Sequence, residues 1–411
     1  MNSRLRKKIF LIAVPLAALS AILYFTRATA PPVTMGYEVS ACKQIKTMKV
    51  GPGPEDMALD DSGENPRIFI SIGELEIINP EKRKRTGIAV FEPALDKDEA
   101  GKMDIVDKPG DFDFKPHGLH LWKTPPGEKS PGETYLYVIS HGRTPEKCEA
   151  DKNAKTERKT HKKHSVLKFL VRGNTLVYKK CFSTSRFKGD PNDLFVTGED
   201  EFYITDPIRK FMAFFPPASV WLHRKDGRWF EATNSVSYPN GILIRGNKAF
   251  VASTGDNQIH VFTRKPDGVF EKKKGFISLI RTEDGKIIKN LMLLDNFTFL
   301  GKEKKSILIA THPSKLKFGL HAMSPANISS PSVVLKINLN DWLKNGKAGK
   351  KHAVVFSVSG PDVDKPDERI AIQAASAALY YKGRLYISQV FEGYILSCKA
   401  GKKLIEDAKT E

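Results

Sequence analysis

The 411-residue sequence contains no C-x-x-C pair, no G-x-S-x-G and no H-E-x-x-H. The first absence removes zinc ribbons and thioredoxin-type redox chemistry. The other two remove serine esterases of the nucleophile-elbow type and zincins. Cysteine is scarce, with Cys42, Cys148, Cys181 and Cys398 only, too few for a fold held by disulfides alone. Gly 30 and Pro 25 are ordinary, so no collagen-like or low-complexity class fits. Acidic residues fall short, 47 against 66 bases, for a net charge of +19. That excess does not read as a nucleic-acid surface. It concentrates in Lys152–His164 (KNAKTERKTHKKH), which has no interleaved aromatics and no nucleic-acid motif, and which reads as a solvated loop or a contact for an anionic membrane.

What the chain does have begins at the N-terminus. Arg4, Arg6, Lys7 and Lys8 precede the uncharged run Ile9–Phe25, the order of a secretory signal or signal anchor over residues 1–30. Pro31 follows the small-residue site Ala28-Thr29-Ala30 and disfavours cleavage there, which favours a retained anchor; a buried core helix is the alternative. The basic flank keeps the N-terminus cytoplasmic, so the expectation is an exported body, anchored to a membrane or secreted. In an oxidising compartment four thiols allow three connectivities. Pairing Cys42 with Cys398 and Cys148 with Cys181 closes the chain around one unit each; four unpaired thiols is the other reading.

The body alternates short β-rich runs with turn residues, among them Arg67–Ile72, Gly87–Phe91, Tyr135–Ser140, Ser165–Val171, Ala249–Ser253, Ile307–Thr311 and Arg384–Val390. One pattern recurs six times: EDMALDDSGENPRIFISIG, HGLHLW with YLYVISHG, NDLFVTGEDEFYITD, NGILIRGNKAFVAST, DNFTFLGKEKKSILIATHP and SAALYYKGRLYISQV. Multi-stranded repeats of this length predict an all-β, six-bladed β-propeller over residues 31–411 with a central channel. A solenoid, which leaves its ends open, is the weaker alternative.

Each copy opens on polar residues: Glu55-Asp56, His117-Gly118, Asn192-Asp193, Asn240-Gly241, Asp295-Asn296 and Ser376. Equivalent positions of radial repeats converge on the axis. Carboxylates brought together there repel, and a hard divalent cation with oxygen ligands resolves the conflict. Ca²⁺ is therefore the expected metal. Taken singly, each Asn or Asp reads as an ordinary turn residue; six in register do not.

The strings GPGPEDMAL, FKPHGLHLW, YVISHG, PNDLFVTGEDEFYITD, YPNGILI, LLDNFTFL with ATHP, and SAALYYKGRLYISQV resemble the serum paraoxonase/arylesterase family, in order, from about Cys42 to Cys398. The resemblance implies a six-bladed propeller with two calcium ions, a disulfide between first and last strands, and often a retained hydrophobic N-terminus. It implies a catalytic calcium held by Glu55, Asn192, Asn240, Asp295 and Asn296, and a structural calcium held by Asp56, Asp193 and the Leu119 carbonyl. His117 matches the family's general base, His141 its assistant, and His312 a further pocket histidine.

The implied activity is hydrolysis of a small hydrophobic lactone or aryl ester, with Ca²⁺ stabilising the oxyanion while His117 takes a proton from water. The alternative is a non-catalytic, membrane-anchored propeller acting as a chaperone or assembly factor. A strictosidine synthase-type lyase fits the fold but not the ordered ligands. Phe214, Phe215 and Phe391 are candidates for an apolar pocket wall. His120, His260 and His321 receive no role. Asn327-Ile328-Ser329 is the expected glycosylation site, because Asn296-Phe297-Thr298 contains a metal ligand. Two segments depart from the family: the long basic stretch Arg143–His164 and Lys210–Arg224 with its Pro216-Pro217.

Overall fold

A computed structural model describes residues 42–410 apart from internal segments, the longer being 74–85, 153–163, 209–215, 279–292, 341–351 and 359–371. The expected N-terminal anchor, Asn327, Phe214, Phe215 and most of the basic run lie outside the described residues. Among those described, no helix is long and apolar enough to cross a membrane.

The strands form six separate sheets, five of four strands and one of five. The innermost strands are Pro54–Asp60, Pro116–Lys123, Leu194–Gly198, Pro239–Arg245, Leu293–Leu300 and Ala375–Tyr381, and each contacts the next around a closed ring. The protein is thus a six-bladed β-propeller, as the repeats predict, and the blades are numbered here from Pro54.

The second strand of every blade is buried along almost its whole length, as in Arg67–Ile72 (RIFISI) and Ser306–His312 (SILIATH). A sheet stacked between two others buries both faces, so these strands lose the alternation of a half-exposed sheet. Six apolar clusters fill the gaps between adjacent blades. One joins blade 6 to blade 1 through Leu379, Tyr386 and Ile395 against Ile68, Ile70 and Phe91.

Closure of the ring is a strand exchange. Cys42–Lys49, from the start of the described chain, pairs antiparallel with Tyr394–Ala400 as the outer strand of blade 6. Cys398 is disulfide-bonded, and the register sets Cys42 opposite Ala400; the Cys42 side chain lies outside the described residues. Hydrogen bonds between chain ends therefore close the ring whatever the covalent contribution.

Cys148 and Cys181 are disulfide-bonded, as one expected pairing has it. Cys181 lies in the strand Thr175–Ser183 of blade 2. The bond clips the segment before the basic run along that strand, where the Glu149 amide donates to the Cys181 carbonyl at 2.8 Å and the Ser183 amide to that of Glu149 at 3.0 Å. In the other departing segment, Pro217 begins the strand Pro217–His223, and the first position of a strand tolerates its missing N–H.

Candidate metal centre and histidine cluster

The site grows from a defect repeated in the inner strands. Register slips occur between Pro54 and Met57, Pro116 and Leu119, Pro239 and Ile242, Leu294 and Phe297, and Ala375 and Ala378. In each case the two skipped residues are the polar opening of the repeat. A bulge withdraws residues from the ladder and re-aims their side chains, which suits a site at the rim of a closed ring. Asn192 and Asp193 stand just before their strand and hold on through the Thr205 main chain.

Odd and even blades use the second bulge position differently. Asp56 accepts from the amides of Met57 and Leu119, both at 2.8 Å. Asp193 does the same with Leu194 and Ile242, both at 2.7 Å. Asn296 reaches the next blade by a different contact, its Nδ2 donating to Ser376 Oγ at 3.4 Å. Each odd blade therefore latches onto the next even one. The even blades carry Gly118, Gly241 and Ala377, and the two glycines admit a close neighbour: a Cβ on Gly118 would lie 2.3 Å from the Asn192 carbonyl oxygen.

The residues expected to hold the first calcium are all buried: Glu55, Asn192, Asn240, Asp295 and Asn296. Three have one polar atom anchored. Asn240 Nδ2 donates to Thr254 Oγ1 at 3.3 Å, Asp295 Oδ2 lies 2.9 Å from His312 Nε2, and Asn296 Nδ2 faces Ser376. The Oδ1 atoms of Asn192, Asn240, Asp295 and Asn296 are buried with no hydrogen-bond partner among the described residues. Each unpaired buried oxygen costs about 1–3 kcal/mol, a cost that a cation held by these oxygens would offset. Oxygen donors from amides and carboxylates suit a hard ion. Among the described residues no three or more His, Cys, Asp or Glu side chains are grouped to hold a metal.

The residues expected at the second ion behave otherwise. Asp56 and Asp193 spend their carboxylate oxygens on backbone amides, and the contact seen from Leu119 is its N–H, not its carbonyl. Burial raises the Asp56 carboxyl above the usual range, and the Asp295 charge adds to it. Burial raises Asp193 as well, followed by the charges of Asp56 and Asp295. Asp56 and Asp193 therefore respond to charges carried on other blades.

His117 Nε2 lies 3.6 Å from Glu55 Oε1, and its ring centroid is 4.8 Å from that of His141. Burial pushes His141 well below its ordinary pKa, and the neighbouring His117 and His164 add to the effect. His141 Nδ1 lies 3.0 Å from His164 Nδ1, and His164 Nε2 is 3.1 Å from Asp190 Oδ1. Sequence reasoning missed His164, hidden at the end of the basic run, and Asp190. The hairpin register carries the missing signal: Ser140 pairs with Ser165, so His141 and His164 flank the last rung.

His312 joins the site through Asp295 and packs at 4.2 Å on Phe318 of the helix Lys315–Met323. Phe391 lies 5.8 Å from Phe318, an apolar wall beside the acid.

No protein-family model matches the chain, and no curated protein matches it. The resemblance to the serum paraoxonase/arylesterase family therefore rests on the motifs themselves. Among solved structures the chain is similar to a luciferin-regenerating enzyme at 10% identity, with 87% of this chain and 95% of that one covered and a TM-score of 0.49. It is similar to a streptogramin B lyase at 11% identity, with 89% and 100% covered and a TM-score of 0.46. A protein described as a candidate gluconolactonase gives 12% identity, 88% and 94% coverage and a TM-score of 0.43. At these values the likenesses carry no argument about activity, and what stands on the chain's own residues is a six-bladed propeller with buried oxygens and histidines on its inner strands.

Proposed function

We propose that the protein is a calcium-dependent hydrolase of small hydrophobic lactones and aryl esters, working at the inner ends of the blades. The observation that carries this reading is the set of four unpaired buried oxygens on Asn192, Asn240, Asp295 and Asn296, with His117 beside Glu55. Those residues and Glu55 would hold the ion. Calcium, when bound, polarises a carbonyl and offsets negative charge growing on its oxygen.

The remaining work falls to the chain. His117 accepts a proton from the attacking water, the general-base role an imidazole commonly takes. His141 orients His117 from the side. His312 holds Asp295 in place, and Phe318 and Phe391 form an apolar wall for the substrate. Asp56 and Asp193 join neighbouring blades, and a second ion near them would relieve their mutual repulsion. The disulfide between Cys148 and Cys181 supports an oxidising, extracytoplasmic location for the body, with the N-terminal segment as membrane anchor or signal.

The test is hydrolysis of aromatic esters and aliphatic lactones by purified protein, with metal content measured by elemental analysis. The expected result is activity lost to a chelator and restored by calcium. Activity indifferent to calcium removal overturns the reading. Calcium binding without hydrolysis favours the non-catalytic propeller.

A further inference from the structure

The histidine pair does not end at His141. His164 stands just before the next strand of the same blade, Ser165–Arg172, its carbonyl accepting from Thr184 Oγ1 at 2.7 Å. Asp190 is mounted on blade 3. The amides of Lys188 and Gly189 donate to the Asp206 carboxylate at 3.1 and 2.8 Å, and that of Asp190 to the Pro207 carbonyl at 3.3 Å. Asp190 faces solvent, with 56% of its side chain exposed, whereas His164 is mostly covered at 13%.

For two neutral rings, hydrogen-bond bookkeeping sets where the protons sit. An ionised carboxylate only accepts, so His164 Nε2 carries hydrogen toward Asp190. Neutral His164 then has a bare Nδ1. Across the 3.0 Å contact the hydrogen must belong to His141 Nδ1, which leaves His141 Nε2 as a lone pair.

We propose that His164 and Asp190 are positioning residues that hold His141 as its Nδ1–H tautomer, with Nε2 bare. A bare Nε2 can receive a proton; the Nδ1 proton then passes to His164 Nδ1, and the His164 Nε2 proton leaves to water beside Asp190, so all rings end neutral. The inference deepens the hydrolase reading and rests on it for its catalytic meaning. The groups facing His141 are His117, His164, Asp190 and Lys115. Burial, with His117, His164 and Lys115, outweighs Asp190 and disfavours a lasting charge on His141, which suits a group that passes a proton on.

The experiment is ¹⁵N spectroscopy of the His141 ring in the full-length protein, beside steady-state kinetics of His164→Phe and His164→Gln. Expected are an Nδ1–H signature in the wild type and its loss in His164→Phe, with kcat down about tenfold and KM within about twofold. His164→Gln, whose amide oxygen accepts from Nδ1–H, restores the signature and part of kcat. An Nε2–H signature in the wild type overturns the proposal, as does a kcat unchanged in His164→Phe. Should the wild type hydrolyse neither substrate class while its tautomer responds to His164→Phe, the hydrolase reading fails and the positioning of His141 stands.

Discussion

Replacing Gly118 with Ala adds one methyl group where blade 2 meets blade 3. The added Cβ would lie 2.3 Å from the Asn192 carbonyl oxygen and 2.8 Å from the Asp193 Cα. Both obstacles are backbone, and both residues belong to the site. No rotamer relieves the clash, so the inner strands must separate until 2.3 Å becomes an ordinary contact of at least 3.4 Å. Overpacking of that kind costs about 1–3 kcal/mol, and the upper half applies where main chain must move. Gly241→Ala is the internal control. Its Cβ would meet the Asp295 carbonyl oxygen at 2.9 Å and the Asn296 Cα at 3.1 Å, a shift of a few tenths of an ångström, so about 1 kcal/mol is expected. Equilibrium unfolding in urea reads stability, and calcium titration of each variant reads the site. The expected order is wild type, Gly241→Ala, Gly118→Ala in both. Equal stability of Gly118→Ala and wild type would refute close inter-blade approach as the reason for glycine at that position.

Asp193→Ala orphans the amides of Leu194 and Ile242 at about 1–3 kcal/mol each; hydrogen exchange at the Ile242 amide should quicken, and unchanged protection would show that the latch is not what joins blades 3 and 4. Removing the disulfide with Cys148→Ala and Cys181→Ala, separated by 33 residues, should cost about 4 kcal/mol by loop-closure entropy, read as a lower unfolding midpoint; an unchanged midpoint would refute it. Burial, aided by the charge of Lys304, pushes His120 down to about 3, its ring packed 4.3 Å from Phe195. The unfolded chain takes up that proton below pH 6.5 and the folded one only near 3, so stability falls across this window by up to about 1.4 kcal/mol per unit, and His120→Phe should flatten the slope.

The blades were legible because each repeat writes its turn and its buried second strand locally; Arg67–Ile72 and Gly87–Phe91 appear with the boundaries that their residues suggest. The polar openings were legible for the same reason, since repetition puts equivalent residues at equivalent radii. His164 was not, because it meets His141 only once the hairpin has chosen its register.

From the sequence alone came the number of blades, the buried strands and the polar residues that open each inner strand, because hydrophobic period and turn chemistry are properties of adjacent residues. Only the tertiary structure decided what those polar residues do. Asp56 and Asp193 each accept an amide from the neighbouring blade, whereas the one-sided anchoring of Asn240, Asp295 and Asn296 leaves their Oδ1 atoms unpaired among the described residues. An oxygen's partner depends on which main-chain amides the neighbouring blade brings within hydrogen-bond reach. That distance is set by packing between residues far apart in the chain, at contacts such as Gly118 on Asn192, and no local pattern records it.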